Sequence, residues 1–374
     1  MPVPYLRKFL LPALLVLAQI GCQVTSPPKS AGTAAVAPPM VVVEISNVPP
    51  PVVAVDIAPP VATNFTKAVA PVPWPTSTVS HSWIPFQVWT DHNGFGKPRL
   101  VASTAATANP GYESETTNGI VSIKVGKQLV FWNGLSFWLG YAPQIIKGVP
   151  HIHALDVQKL LQPLVQPPSL ITKSNRVVVI DPGHGGVDTG TRSVAQNQME
   201  KDFTLDWALR LKPLLAANGW TVYLTRTNDM DVSLATRLAL ADRVNADFFV
   251  SLHFNSAFPS ATPCGVETYC LTPVGLPSSV ARNYEDDPRQ VFANNAFDTA
   301  NLQYAWRLHR AVLSATQSSD GGVRHARFMG VLRGQKRPAV LIEGGYLSNP
   351  QEARKIGSLA YRQKLAESVA QALE

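Results

Sequence analysis

From about Arg176 onward the chain alternates between two hydrophobic periods. Short apolar runs at Val177–Ile180, Trp220–Leu224, 247–252 and 338–342 have the length and residue types of buried strands. Between and after them, apolar positions recur at helical spacing. Glu200 to Ala217 carries Leu205, Leu209, Leu211, Leu214 and Leu215 on one broad face. Asn218-Gly219 follows it as a left-handed cap. Ser233–Val244, Tyr304–Ala315 and Leu359–Leu373 read as further helices. Such alternation predicts an α/β unit over residues 174–374, with a mostly parallel central sheet and helices on both faces.

Residues 81–166 follow another pattern. Trp83-Ile84-Pro85-Phe86, Val121–Val125 and Leu129–Trp132 are short strand-like segments. Asn118-Gly119 and Asn133-Gly134 are hairpin turns between them, and 154–161 suits a short helix. This predicts a small α+β accessory domain. Residues 23–80 hold Pro-Pro at 27–28, 38–39, 49–50 and 59–60 and read as an extended tether. In residues 1–22, Arg7 and Lys8 precede the apolar stretch Phe9–Leu17, which is too short to span a membrane and reads as a targeting segment. Its Gly21-Cys22 end resembles a bacterial lipoprotein signal, although Gln19 stands where that pattern prefers Leu. The resemblance implies lipidation at Cys22; plain secretion is the alternative.

Composition narrows the partners. A net charge of +7 and a pI near 9.3 favour anionic polymers. No basic run is interleaved with aromatics, so nucleic acid is not expected as a partner. Cys264 and Cys270 bracket an alternating segment that, when extended, spans about 20 Å, too far for a disulfide. His151 and His153 lack further ligands nearby and read as packing residues.

The chemistry stands at three strand ends. Val177–Ile180 runs into Asp181-Pro182-Gly183-His184-Gly185-Gly186. The run 248–252 leads into His253-Phe254-Asn255, and 339–342 into Glu343-Gly344-Gly345-Tyr346-Leu347-Ser348-Asn349. Open α/β sheets bind ligands outside the carboxyl ends of their strands. The glycine spacing around His184 fits neither a dinucleotide fingerprint nor a phosphate loop. Two histidines and an acid from distant parts of the chain are the donor types of a hydrolytic zinc site.

These motifs, with Glu200-Lys201-Asp202 between the first two, resemble the zinc-dependent N-acetylmuramoyl-L-alanine amidases. The resemblance covers roughly residues 176–373 and keeps the family's motif order. It implies cleavage of the bond between N-acetylmuramic acid and the L-alanine of the stem peptide in peptidoglycan. It also implies Zn2+ on His184, Glu200 and His253, with Glu343 as the catalytic acid/base. Asp181 either orients His184 or simply terminates its strand. Arg333 matches a basic position before the last strand and either steadies a substrate carboxylate or the oxyanion or is a plain surface arginine. Residues 81–166 resemble, more weakly, the small N-terminal domain of copper amine oxidases.

The long polar segment from Thr272 to Asn301, with Glu285-Asp286-Asp287, departs from simple family members. Some relatives carry an inhibitory helix near here, which makes this segment a candidate lid. Such a lid implies more activity when the acidic run is removed, and leaves room for an activator protein. The expected location is the cell envelope, anchored in a membrane through Cys22 or free in the periplasm, with peptidoglycan as partner. The competing functions are a non-catalytic wall-binding lipoprotein and a zinc peptidase acting on the stem peptide.

Overall fold

The computed structural model describes residues 82–101, 109–116, 119–166 and 176–374. The targeting segment, the tether and Cys22 lie outside them. The described residues belong to one compact unit, Pro73–Glu374.

The first region opens with β1 (Trp83–Pro85) and helix α1 (Phe86–His92). An antiparallel run follows: β2 (Arg99–Val101), β3 (Gly111–Thr116), β4 (Gly119–Lys124), β5 (Leu129–Trp132) and β6 (Leu135–Trp138). The β5–β6 turn is Asn133-Gly134, both at positive φ, as the twist-matched two-residue hairpin requires. Strands β7 (Gln144–Ile146) and β8 (Val149–His153) pair with β1 in a separate three-stranded sheet. The chain then enters α2 (Ala154–Asp156), a π-helical stretch Val157–Leu161, and α3 (Gln162–Val165). His153 accepts the Leu155 N–H and stacks on Tyr141 at 3.9 Å between ring centroids, so it caps and packs.

The second region contains β9 (Arg176–Pro182), α4 (Glu200–Ala217), β10 (Trp220–Leu224), α5 (Leu234–Arg243), β11 (Phe248–Asn255) and β12 (Val266–Cys270). It continues with α6 (Asp298–Thr316), β13 (Asp320–His325), α7 (Gly330–Arg333), β14 (Ala339–Tyr346), α8 (Pro350–Gly357) and α9 (Leu359–Ala372). The strand order is β10-β9-β11-β14-β12-β13. All pairs in it are parallel except β12 with β14. The mostly parallel sheet expected from the alternating pattern is therefore present.

Its strands are continuously apolar because both faces are covered. Val178, Ile180, Val250, Leu252, Val340 and Ile342 point into the core shared with α4, α6 and α9. Their neighbours Val179, Phe249 and Leu341 point into a second core on the α5 and α7 side. The period of two thus divides each strand between two helical layers.

The two regions share one eleven-stranded sheet, since β13 pairs with β6 in parallel at Val323↔Phe137. Asp320 accepts the Ser136 N–H at 2.7 Å, and the Arg324 guanidinium lies 4.0 Å from the Trp138 ring centre. Cys264 and Cys270 are not joined in a disulfide; β12 separates them as an extended strand.

Candidate active site

Strands β9, β11 and β14 are adjacent and parallel, so their carboxyl ends open on one side. His253 is the register partner of Glu343, and the chain leaves β9 beside Leu252 to form the His184 turn. Residues far apart in sequence meet there because the sheet order places their strands side by side.

The turn after β9 is held from below. His184 sits at φ 62°, a left-handed conformation that a side-chain-bearing residue adopts only when its surroundings enforce it. The enforcement comes from two buried arginines. Arg226 donates to the Pro182 and Gly183 carbonyls at 3.1 and 2.9 Å. Arg237 donates to the Pro182 and His184 carbonyls at 3.0 and 2.8 Å. Buried carbonyls in a tight loop need such donors. Gly183 and Gly190 leave room for the imidazoles: a Cβ at Gly183 would collide with the His253 ring, and one at Gly190 would come within 2.7 Å of His184 and 2.6 Å of Glu200.

His184, Glu200 and His253 form one group whose potential ligand atoms lie within 4.8 Å of one another. Glu200 begins α4, and its Oε1 stands 3.1 Å from His184 Nε2 and 3.0 Å from His253 Nδ1. Its carboxylate is aimed by the Phe254 N–H at 3.0 Å on Oε1 and the Thr191 N–H at 3.1 Å on Oε2. His184 Nδ1 meets Asp188 Oδ1 at 2.9 Å, which turns Nε2 toward the cluster. Burial works against a charge on His184, yet hydrogen bonds and charges from Glu200 and Asp188 hold its pKa above the ordinary value. Burial likewise works against a charge on Glu200, but the two histidines outweigh it and push its pKa well down. The group could hold a metal ion. Its donor set, two imidazole nitrogens and a carboxylate with backbone-fixed geometry, fits a divalent cation of zinc type.

Glu343 lies across from this group in opposite surroundings. It is buried, and its Oε2 has no hydrogen-bond partner among the described residues. Burial raises its pKa well above the carboxylate range; the charges of Glu200 and Glu267 add to this and Arg282 opposes it.

The expected supporting residues fall elsewhere. Asp181 does not bond to His184. Its carboxylate takes Thr225, Arg237 and Ser251, so it reaches the turn only through Arg237. The carboxylate on the imidazole is Asp188, four residues after the histidine. Arg333 packs over the Tyr284 and Phe292 rings and donates to the Tyr284 hydroxyl at 3.3 Å, bracing the 272–301 loop.

That loop corrects a further expectation. Among the described residues, no helix occurs in it before the 3-10 turn Ala293–Phe297. Its acidic run is not a unit: Asp286 accepts from Ser278 and from the fully buried Arg327 at 2.7 Å, whereas Asp287 pairs with the exposed Arg289. Removing all three acids would undo the Arg327 clasp, so gain of activity is not the expected result.

Three groups escaped the sequence reading. Glu267 on β12 collects Asn255 at 2.8 Å, Tyr269 at 2.8 Å, Tyr346 at 3.1 Å and Arg324 at 3.0 Å. It ties the ends of β11, β12, β13 and β14 together beside Glu343. A glutamate inside an otherwise apolar strand was its only sequence signal. Asp188 and Arg282 are the others.

Two imidazoles and a fixed carboxylate that could hold a metal ion, beside a buried acid with one unpartnered oxygen, make a site arranged for hydrolysis. Comparison with known proteins agrees. The N-acetylmuramoyl-L-alanine amidase family matches residues 178–374, just over half of the chain, and the protein belongs to that family. The amidase AmiC of Neisseria meningitidis is 34% identical over 218 residues, covering 53% of this chain and 52% of that protein. AmiA of Salmonella typhimurium is 28% identical over 254 residues, covering 62% and 86%. The chain thus spans about half the length of the Neisseria relative. Among solved structures, the catalytic domain of CwlV from Bacillus (Paenibacillus) polymyxa is 31% identical, with a TM-score of 0.43 and coverage of 53% of this chain and 96% of that one. An amidase from Clostridium difficile 630 is 33% identical, with a TM-score of 0.44 and coverage of 54% and 96%.

Proposed function

We propose that the protein hydrolyses the amide between N-acetylmuramic acid and the L-alanine of the stem peptide in peptidoglycan, with zinc on His184, Glu200 and His253. The observation that carries this reading is the His–Glu–His group with the buried carboxyl of Glu343, its Oε2 unpartnered, at the register partner of His253.

When bound, zinc supplies Lewis acidity that polarises the scissile carbonyl and brings the pKa of water toward about 7. The residues do the rest. Asp188 keeps the His184 proton on Nδ1, so that Nε2 carries the donor lone pair. Thr191 and Phe254 hold Glu200 in its bonding rotamer. Glu343 takes a proton from the attacking water and passes it to the amine as the C–N bond breaks. An amine leaves poorly without that proton. An acid raised above its usual range by burial is suited to both transfers. Glu267, bonded on both oxygens, has no such freedom and serves to hold the surrounding strands.

The substrate sets the place of action at the cell envelope. Among the described residues, no helix is long and apolar enough to cross a membrane. Anchoring through a lipid on Cys22 belongs to the same proposal; Cys22→Ser should move the protein from the membrane to the soluble fraction, and persistence in the membrane would refute it.

The bond is identified by digesting purified peptidoglycan with the full chain, with and without chelator, followed by mass spectrometry. Release of intact stem peptides with a free L-alanine amine, lost on chelation, is the expected result. Cleavage inside the stem would make the protein a peptidase. Absence of any release by the zinc-loaded chain would favour a wall-binding protein.

A further inference from the structure

The 272–301 loop has a rigid base and two exposed arginines, of which Arg289 is paired with Asp287. Arg327, fully buried, gathers the loop by donating to the Leu276 carbonyl at 2.6 Å and the Pro273 carbonyl at 3.1 Å, while its other nitrogen pairs with Asp286. Ser279 bonds to the backbone of His325, and Tyr284 is braced by Arg333. From this base the exposed Arg282, at φ 51°, reaches back over the site. Its guanidinium lies 5.0 Å from the Phe328 ring centre and donates one long bond, 3.4 Å, to Asn255, two residues beyond His253. Phe328 and His253 line the same cavity of about 380 Å³.

Arg282 and Arg333 differ from the other arginines around them, and Arg333 spends its guanidinium on the Tyr284 and Phe292 rings. Arg289, Arg324, Arg327 and Arg337 each have a carboxylate within 4.0 Å. No such ion pair exists for Arg282 among the described residues, although its charge is felt at Glu343. A guanidinium stacked on an aromatic ring, with most donors uncommitted, is preorganised for a planar anion. The loop base meets part of the ordering cost in advance.

We propose that Arg282 is a specificity-determining residue that binds a carboxylate of the stem peptide beside the scissile amide. This rests on the amidase reading above. The group it fits is the free carboxylate of the acidic second residue, D-glutamate, which follows the alanine at the cleaved bond. The task expected of Arg333 thus falls to a residue on the loop that Arg333 braces.

The test uses two soluble substrates, muramoyl-L-Ala-D-Glu and its counterpart with that carboxylate amidated, and the full zinc-loaded chain. The wild type should cleave the acid with the lower KM. Arg282→Ala should raise KM for the acid about tenfold, the scale of one charge-assisted hydrogen bond, and remove the preference over the amide. Arg282→Lys should restore part of it. Calorimetry of the dipeptide L-Ala-D-Glu against zinc-loaded Glu343→Gln protein gives a readout without turnover, and adding Arg282→Ala there should weaken binding by a similar factor. Equal losses on acid and amide, or unchanged dipeptide affinity, would overturn the assignment while leaving the amidase reading standing. Failure of the wild type on both substrates would instead overturn that reading, and this inference with it.

Discussion

Two corners of one site hold buried glutamates in opposite conditions. At the β9–α4–β11 corner, Glu200 is bonded by two backbone N–H groups and faces two histidines, and its pKa is driven well down. At the β12–β14 corner, Glu343 has an orphaned oxygen, two carboxylates for company and one distant arginine, and its pKa is driven well up. On the proposed reading, the same residue type serves as a fixed ligand at the start of α4 and as a proton carrier at the end of β14. Donors and neighbouring charges decide between these roles, because burial penalises both carboxylates alike.

The contrast can be broken most severely at the ligand corner. Glu200→Ala, or chelation of the wild type, should abolish zinc binding and peptide release together, as read by elemental analysis and product mass spectrometry. At the other corner Glu343→Gln should lower the rate by about 10²–10⁴, the range for a lost general acid/base. Asp188→Ala touches neither glutamate. It should weaken zinc affinity about 10–100-fold by releasing the His184 ring, measured by competition with a chromogenic chelator. The smallest change is Tyr269→Phe, which takes one donor from Glu267 and should cost about 1–3 kcal/mol in denaturant unfolding.

A pH series sharpens the comparison. Unfolded, Glu343 gives up its proton in the usual carboxylate range; folded and metal-free, it keeps the proton to higher pH. Between those two points the native state binds the extra proton, so stability falls as pH rises. Glu343→Gln should flatten that part of the curve in metal-free thermal melts. A wild-type slope that the substitution leaves unchanged would show that other groups cause it.

The ligand corner was legible in sequence and the acid corner only partly so, for a physical reason. His253 and Glu343 follow an apolar run directly and His184 follows one within four residues, so predicting the strand predicts where the side chain emerges. Glu200 was legible only through the resemblance; the leucine face expected of its helix is not the buried one, which is formed by Phe203, Trp207, Ala208, Leu211 and Leu215 while Leu209 is exposed. Glu267 depends on donors at 255, 269, 324 and 346, which only the sheet order brings together. Arg282 depends on a loop whose path is set by Arg327 and by a positive φ that no local pattern announces. Asp181 stands three residues before His184, but Arg237 intercepts the contact that this closeness suggested; Arg333 was placed by resemblance alone, which gave no sign of its packing on Tyr284 and Phe292. In the accessory region, Asn133-Gly134 announced its hairpin, whereas Lys147-Gly148 adopts the same pair of positive φ angles without the usual asparagine.

The division of labour between the two glutamates is tested most directly by measuring bound zinc and peptide release side by side in Glu343→Gln. The account predicts the wild-type zinc content with the rate reduced about a thousandfold. Loss of the metal along with activity, or a rate close to wild type, would contradict it.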